Sequence, residues 1–238
     1  MKFGNIAIGG MSFGSVKIGG AKYGNTLVFD GGTPPEPPAE PDFYDYLVFD
    51  GTAYITTDFI PTNGVSFLVR IGNETIKSAQ RIFMCACSGS KYLGLNMNNS
   101  TTSTTRYIAP YYCGSVGTAH ALAFSTATLN TFLTPSKMGW GNSSYSVTNG
   151  NATPNGGLIL GMMPAYTGQP YSGIMSVFKV YGSDASGCTT AGDFDNYTPI
   201  ATFRPCLYNG KAGMWYVEGN KFWGNSAGSG TLSVTNSI

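Results

Sequence analysis

Short apolar runs separated by polar turns fill most of the chain, and none has the length and spacing of an amphipathic helix. Residues 65–71 largely alternate apolar with polar side chains, and this period of two predicts a strand with one buried face. Asp50-Gly51 is a turn signal between two such runs. About a dozen strands of this kind predict an antiparallel two-sheet sandwich or jelly roll. The predicted strands are residues 46–49, 54–55, 65–71, 81–86, 91–97, 106–112, 119–124, 157–162, 172–181, 200–207, 213–217 and 232–234.

Helix is nearly absent from the pattern. The best short candidate is the segment 183–194, which Gly187 and Gly192 interrupt. We therefore expect less than about a tenth of the main domain to be helical, well below the usual share.

The first 31 residues form a separate repeat. Aromatic-Gly pairs recur every ten residues at Phe3, Phe13 and Tyr23, which predicts minimal hairpins joined by glycine turns. Such a tag has too little apolar surface to fold alone, and its unpaired strand edges favour attachment to another chain. The candidate anchor side chains are Ile6, Ile8, Phe13, Val16, Ile18 and Tyr23.

A proline-rich linker follows the repeat. Five prolines lie within residues 34–41, and they favour an extended conformation. The predicted organisation is a tag at 1–31, a Pro/Glu linker at 32–42 and a sandwich at 43–238.

Low charge argues against a nucleic-acid partner, and the lack of a long apolar run argues against a membrane span. Only 11% of the residues are charged and the net charge is +1, so the basic cluster that nucleic acid requires is absent. There is no apolar run of 18 residues, and we expect no membrane span. A surface rich in Ser, Thr, Asn and Gly is common in fibrous and virion proteins. Since no signal peptide precedes the repeat, we expect synthesis in a host cytoplasm.

Three segments resemble the laminin G-like, concanavalin A-like jelly-roll family, in the form found in tail and fibre proteins of bacteriophages of gut Bacteroidetes. The first is Leu47-Val-Phe-Asp-Gly-Thr-Ala-Tyr-Ile-Thr-Thr57, and the second is Gly173-Ile-Met-Ser-Val-Phe-Lys-Val-Tyr181. The third combines Phe203-Arg-Pro-Cys206, Gly213-Met-Trp-Tyr216 and Lys221-Phe-Trp-Gly-Asn-Ser226. Tyr216 stands where the family usually has Asp, so a role of that Asp does not carry over. The resemblance implies a lectin-like domain displayed on a virion.

Catalysis is not expected. Glycoside hydrolysis requires two carboxylates about 5 to 9.5 Å apart, but the Glu-x-Asp-x-x-Glu pattern of the similar glucanases is missing. The chain has four Glu, of which Glu36 and Glu40 lie in the linker and Glu74 and Glu218 in turn-like segments.

No cofactor or metal is predicted either. His120 is the only histidine and is interpreted as a strand-end residue, which leaves zinc without a ligand set. The acidic pair Asp193 and Asp195 resembles part of a calcium loop without its closing Glu. A solvated turn is the simpler interpretation, and calcium binding there stays open. The odd number of cysteines, five, favours buried thiols over disulfides.

Aromatic residues in loop-like stretches are candidates for stacking against sugars. Trp140, Tyr166 and Tyr171 lie in Gly- and Ser-rich segments, although packing beneath loops or at subunit contacts is the alternative. Trp215 and Trp223 lie in a strand motif and are interpreted as core.

Three functions remain open. The main hypothesis is a non-enzymatic virion structural or fibre protein, homo-oligomeric and held to other virion proteins by residues 1–31. The alternative is a glycan-binding adhesin module for host-surface polysaccharide. A bacterial surface protein or glycoside hydrolase is a third, weaker alternative.

Overall fold

The computed structural model describes residues 40–72, 80–99, 105–123, 128–162 and 170–237, together with six short strands within residues 2–29. The chain forms two compact units, Met1–Glu40 and Pro41–Ile238. Asp42, which the sequence pattern places in the linker, lies in the first strand of the second unit.

The described residues of the first unit form three hairpins, each a two-stranded antiparallel sheet. Its strands recur with the ten-residue period of the sequence: β1 (Lys2–Phe3), β2 (Ile6–Ala7), β3 (Ser12–Phe13), β4 (Val16–Lys17), β5 (Ala21–Tyr23) and β6 (Thr26–Phe29). Each hairpin pairs within its own repeat, β1 with β2, β3 with β4 and β5 with β6.

The second unit is built from strands, and the two helices within its described residues are short and of the 3-10 type. The strands are β7 (Asp42–Phe43), β8 (Tyr46–Asp50), β9 (Ile55–Thr56), β10 (Ser66–Gly72), β11 (Gln80–Cys87), β12 (Lys91–Asn99), β13 (Thr105–Tyr112), β14 (Ser115–Val116), β15 (His120–Ala123), β16 (Leu129–Leu133), β17 (Lys137–Trp140), β18 (Ser143–Ser146), β19 (Ile159–Leu160), β20 (Ser172–Tyr181), β21 (Pro199–Tyr208), β22 (Lys211–Tyr216), β23 (Lys221–Gly224) and β24 (Leu232–Thr235). The 3-10 helices span Ser183–Gly187 and Gly192–Asn196, so the two glycines that interrupt the pattern lie at the end of one and the start of the other. Neither has the length or apolar character needed to cross a membrane.

Two antiparallel sheets face each other. In the described residues the larger has eleven strands in the order β18-β17-β16-β10-β20-β21-β22-β23, with β8 and β7 attached to β20 and β21 and β24 attached to β8. The smaller has seven, in the order β14-β13-β12-β11-β19-β9, with β15 beside β13. The two ends of the domain lie close together, because β24 pairs with β8.

The core lies between the sheets and is rich in aromatic rings. Phe67 and Phe178 of the larger sheet both contact Phe83 of the smaller, each with ring centroids 4.9 Å apart. Tyr112 of the smaller sheet donates a hydrogen bond across the core to the Val65 carbonyl, at 2.6 Å. Burial of these rings is the main force that holds the sheets together, and the predicted jelly-roll sandwich is confirmed.

A second, smaller core lies on the outer face of the larger sheet. The segment 183–197, called the covering segment below, packs over Phe132 and Tyr181 and inserts Phe194 between them, with centroid distances of 5.9 and 4.8 Å. This half of the outer face is therefore shielded from water. The other half, formed by β21, β22 and β23, lies beyond it.

Candidate functional site

Strand alternation places an unusual set of side chains on the outer face of β21, β22 and β23. Ala201 and Phe203 of β21 belong to the core between the sheets, so Arg204 and Tyr208 project the other way. On β22 and β23 the core residues are Met214 and Trp223, which turns Trp215 and Phe222 outward by the same alternation.

Tyr208, Trp215 and Phe222 form what we call the aromatic shelf. The Tyr208 ring centroid lies 5.3 Å from that of Trp215 and 5.4 Å from that of Phe222. Trp215 and Phe222 are direct cross-strand partners, and all three side chains are half-buried. The outer face of an antiparallel sheet normally carries polar side chains, so adjacent half-exposed rings indicate a contact surface.

Arg204 extends the shelf towards β7. Its guanidinium carbon lies 3.9 Å from the centroid of the Phe43 ring, a cation–π contact that holds the guanidinium plane over the ring. Phe43 is 39% exposed. Cys206 lies directly opposite Phe43 and Gly213 and is fully buried, and burial raises the pKa of its thiol to about 12.

Gly213 creates the space that Phe222 occupies. A Cβ atom at this position would lie 2.7 Å from Cε2 of Phe222 and 2.3 Å from the carbonyl oxygen of Trp223. Both distances are too short for real atoms, so the ring can lie across the sheet only because residue 213 has no side chain.

An open cleft of about 650 Å³ adjoins the shelf at Phe222, and it is lined by residues of β22, β23 and the start of β24. Some of the polar side chains that line the cleft already make hydrogen bonds within the fold. The Asn225 amide accepts from the Ala227 N–H at 2.9 Å and donates to the Gly230 carbonyl at 3.0 Å, and the Ser226 hydroxyl accepts from the Thr56 N–H. The Lys211 ammonium makes no hydrogen bond or ion pair with the described residues and lies at the rim between shelf and cleft.

Asp50 stabilises the edge of this cleft through a hydrogen bond from Thr231, one of the lining residues. Its carboxylate accepts hydrogen bonds from Thr52 (backbone N–H and hydroxyl) and from the N–H groups of Ala53 and Thr231. Burial opposes ionisation of this carboxyl, but the four hydrogen bonds outweigh that effect and hold its pKa at about 2. The Asp-Gly turn predicted from the sequence therefore also ties the first long strand to the last.

Two of the predicted glycan-contact residues, Trp140 and Tyr171, lie apart from the shelf. Trp140 is half-buried at the end of β17, its ring 5.1 Å from that of Tyr145, which in turn stacks on His120 of the smaller sheet at 3.8 Å. The structure corrects the prediction for Tyr171, which is fully buried against Phe49 and donates its hydroxyl to the Ile174 carbonyl. Tyr166 lies outside the described residues.

The predicted anchor residues are only partly described. Ile6, Phe13, Val16 and Tyr23 lie in strands of the three hairpins, whereas Ile8 and Ile18 lie outside the described residues. Attachment through these side chains stays a prediction.

The five cysteines are free and buried, as predicted. Cys85, Cys87 and Cys113 lie together in the core, and Cys85 donates to the Gly156 carbonyl at 3.1 Å. The pKa of Cys113 is raised, first by its hydrogen bond with Cys87 and then by burial. Within the described part of the chain, no group of three or more His, Cys, Asp and Glu side chains is arranged to hold a metal ion.

Two of the acidic residues considered for calcium and for catalysis, Asp193 and Glu218, have structural partners. Asp193 accepts from the backbone N–H groups of Thr189 and Thr190 at 2.7 and 2.9 Å, and these bonds lower its pKa to about 2. It thereby closes the turn before the second 3-10 helix. Glu218 accepts from the Thr202 N–H at 2.7 Å, while Glu36 and Glu74 lie outside the described residues.

The solved structures that resemble the chain include the following two. One is a candidate carbohydrate-binding protein from Bacteroides ovatus, with a TM-score of 0.53, 12% identity and coverage of 82% of this chain. The other is the heptameric SAP-like pentraxin of Limulus polyphemus, with a TM-score of 0.53, 15% identity and coverage of 83%. The matched region spans 61% of the Bacteroides protein and 99% of the pentraxin.

At these identities the similarity bears on the fold alone. The fold is an antiparallel two-sheet jelly-roll sandwich. No protein-family model matches the sequence, and no curated protein matches it. These structures support the resemblance at the level of the concanavalin A-like architecture. Neither of them is described as a bacteriophage protein.

The shelf is not visible in the sequence pattern, because the strand motif around Trp215 predicts a core residue. Trp223 is indeed buried there, but Trp215 projects outward and is half-exposed. A usable signal was present in β21, where Phe203 and Arg204 are neighbours. If Phe203 faces the core, then Arg204 and its cross-strand partner Trp215 must share the outer face.

Proposed function

We propose that the sandwich, residues 41–238, is a non-catalytic carbohydrate-binding module that contacts its ligand through the aromatic shelf. The observation that carries this proposal is the set of three adjacent aromatic rings left half-exposed on an outer sheet face, beside an open cleft. The carbohydrate-binding description of the Bacteroides protein agrees with it.

The shelf has the physical properties that sugar binding requires. A pyranose presents apolar C–H groups on its faces and hydroxyls around its edge, so it stacks on aromatic rings while polar neighbours bind the hydroxyls. Tyrosine and tryptophan supply a large, rigid contact area with few rotatable bonds. Lys211 and the Tyr208 hydroxyl lie at the margin of the same surface, where they can donate to a bound sugar.

The non-catalytic part of the proposal is supported by the distribution of carboxylates. Along the described strands β21 to β23 no Asp or Glu is present. Hydrolysis of a glycosidic bond at the shelf would need two of them. We therefore expect binding without release of reducing sugar.

Replacement of Trp215 tests the proposal. Trp215→Ala should weaken binding to a recognised polysaccharide by at least about 30-fold, since a central tryptophan contributes about 2 kcal/mol or more at a hot spot. The control is Tyr107→Ala, which removes a 39% exposed aromatic residue from the smaller sheet. Affinity electrophoresis through gels that contain capsular and cell-wall polysaccharides gives the measurement. Equal mobility of the two variants in every gel would contradict the proposal.

A second role concerns the first unit. Its hairpins have strands of only two to four residues, and isolated hairpins of this size are at best marginally stable in water. This favours the proposal that residues 1–31 attach the module to a larger assembly, a virion or copies of the chain itself. Co-assembly assays with and without residues 1–31 test it, and normal incorporation of the truncated chain would contradict it.

A further inference from the structure

We propose that the saccharide bound at the aromatic shelf is acidic, a chain whose pyranose units carry carboxylate or sulfate groups. This inference rests on the proposed function and adds the charge of the ligand to it. It follows from the two cations that flank the rings and from the absence of Asp and Glu along the three strands that carry them.

The outer face of β21 to β23 carries two positive side chains, Arg204 and Lys211. The remaining outward positions in these strands are neutral: Ile200, Thr202, Cys206, Tyr208, Gly213, Trp215, Phe222 and Gly224. A local charge of +2 stands out in a protein whose net charge is +1. On a face with low-dielectric aromatic walls, such charges attract an anion more strongly than scattered surface lysines do.

Neither cation is neutralised by a described neighbour. Arg204 is exposed, and it contacts the Phe43 ring rather than a carboxylate. Glu218, the acidic side chain near the far end of β21, is bonded to the Thr202 N–H. The ion pair between Lys221 and Asp58 involves neither Arg204 nor Lys211. Both shelf cations are therefore available to a ligand.

Arg204 is held in an orientation suited to a carboxylate or sulfate. The Phe43 ring contacts the guanidinium at 3.9 Å, and the exposed side chain leaves N–H groups open to a ligand. Arginine binds oxyanions through two parallel N–H bonds. Because the side chain is already positioned, less conformational entropy is lost when the anion binds.

The separation of the two cations favours a chain over a single sugar. Lys211 lies opposite Tyr208, four residues along β21 from Arg204, which corresponds to about 13 Å. The shelf lies between them, so a chain that stacks on the rings can present one anionic group to each cation. Two cations are too few for the multiple phosphate contacts of a nucleic acid.

The test compares one polymer in charged and uncharged form. The full-length protein is titrated with polygalacturonate and with its methyl ester by isothermal calorimetry at low and moderate salt. We expect at least tenfold tighter binding to the acid form, with the difference shrinking as salt rises. Chondroitin sulfate and unsulfated chondroitin then distinguish a preference for sulfate from one for carboxylate.

Substitutions assign the preference to residues. Arg204→Gln with Lys211→Gln should remove the preference for the acid polymer, while Lys91→Gln, an exposed lysine on the smaller sheet, should leave it unchanged. If the protein binds acid and ester equally and Trp215→Ala loses both, the acidic inference is wrong and the proposed function stands. If no polysaccharide in a panel of neutral and acidic polymers binds, both are wrong. Equal binding of single-stranded DNA, lost in the same variants, would reduce the site to general polyanion attraction and overturn the inference.

Discussion

The outer face of the larger sheet has two halves with similar side chains and different surroundings. In one half Phe132 and Tyr181 lie beneath the covering segment, which fills the space above them with Phe194. In the other half Tyr208, Trp215 and Phe222 form the aromatic shelf without such a cover and stay half-exposed. Aromatic side chains on this face thus stabilise the fold where the covering segment packs over them. Where it does not, they stay available for binding.

The largest expected effect is on the covered half. Phe194→Ala should destabilise the sandwich by about 3 to 5 kcal/mol, because it removes a fully buried ring and leaves a cavity. Trp215→Ala on the open half should cost no more than about 1 kcal/mol, since its ring is already partly in water. Urea unfolding of the two variants measures the difference, and equal costs would contradict the distinction between the halves.

Gly213→Ala should damage the open half in a different way. The added Cβ would collide with the Trp223 carbonyl and the Phe222 ring, and relieving such overpacking costs about 1 to 3 kcal/mol. The shelf should also lose the present arrangement of its rings and its affinity for saccharide. Gly228→Ala is the matched control because a Cβ there meets nothing within 4 Å. Unchanged binding by Gly213→Ala would show that the position of Phe222 is unimportant.

Lowering the pH should destabilise both the covering segment and the border of the cleft, each through one carboxylate. Asp193 closes the covering segment and Asp50 borders the cleft, and hydrogen bonds to both carboxylates hold each pKa at about 2. Since both values lie below the ordinary 3.8, the stabilisation is complete above about pH 4 and is lost as the pH falls towards 2.

Replacement of Asp50 isolates its share of that loss. Asp50→Asn should cost about 1 kcal/mol at pH 7, a small figure because the carboxyl is largely exposed. It should cost less at pH 2, where the native carboxyl is itself partly protonated. Thermal unfolding across this pH range gives the measurement, and a cost that does not depend on pH would contradict the assignment.

The smallest expected effect comes from removing residues 1–31. The chain divides into units at Glu40 and Pro41, so the truncated sandwich should keep its circular dichroism spectrum and unfold within about 2 °C of the full chain. Failure of the truncated protein to fold would show that the first unit belongs to the core of the second.

The sequence predicted the sandwich and most of its strands because their signals are local. β10 alternates apolar and polar side chains, and β20 is predicted with its observed bounds. β17 and β18 were missed, since Gly139 and the serines at 143–146 have low strand propensity and are typical of loops. β17 pairs with β16 and β18 pairs with β17, and this pairing between strands is not visible locally.

The candidate site was less predictable because it depends on which face a side chain occupies. β22 contains Met214, Trp215 and Tyr216 in succession, so both of its faces are apolar and the pattern does not separate core from shelf. Tyr171 shows the opposite error, since its Gly- and Ser-rich surroundings indicate a loop while the ring packs on Phe49. Register and the position of the covering segment decide both cases, and only the structure supplies them.

The central claim is that saccharide binds at Trp215, and the three tryptophans of the chain provide a direct test. Trp215 lies on the shelf, Trp223 in the core and Trp140 beside Tyr145, on β17 and β18 at one edge of the larger sheet. Each indole N–H gives its own signal in a ¹⁵N-correlated spectrum during titration with a bound polysaccharide or its oligomers. We expect the Trp215 signal to shift in a saturable way while those of Trp140 and Trp223 stay in place. A saturable shift of Trp140 with Trp215 unchanged would contradict the account and move the site to the edge strands.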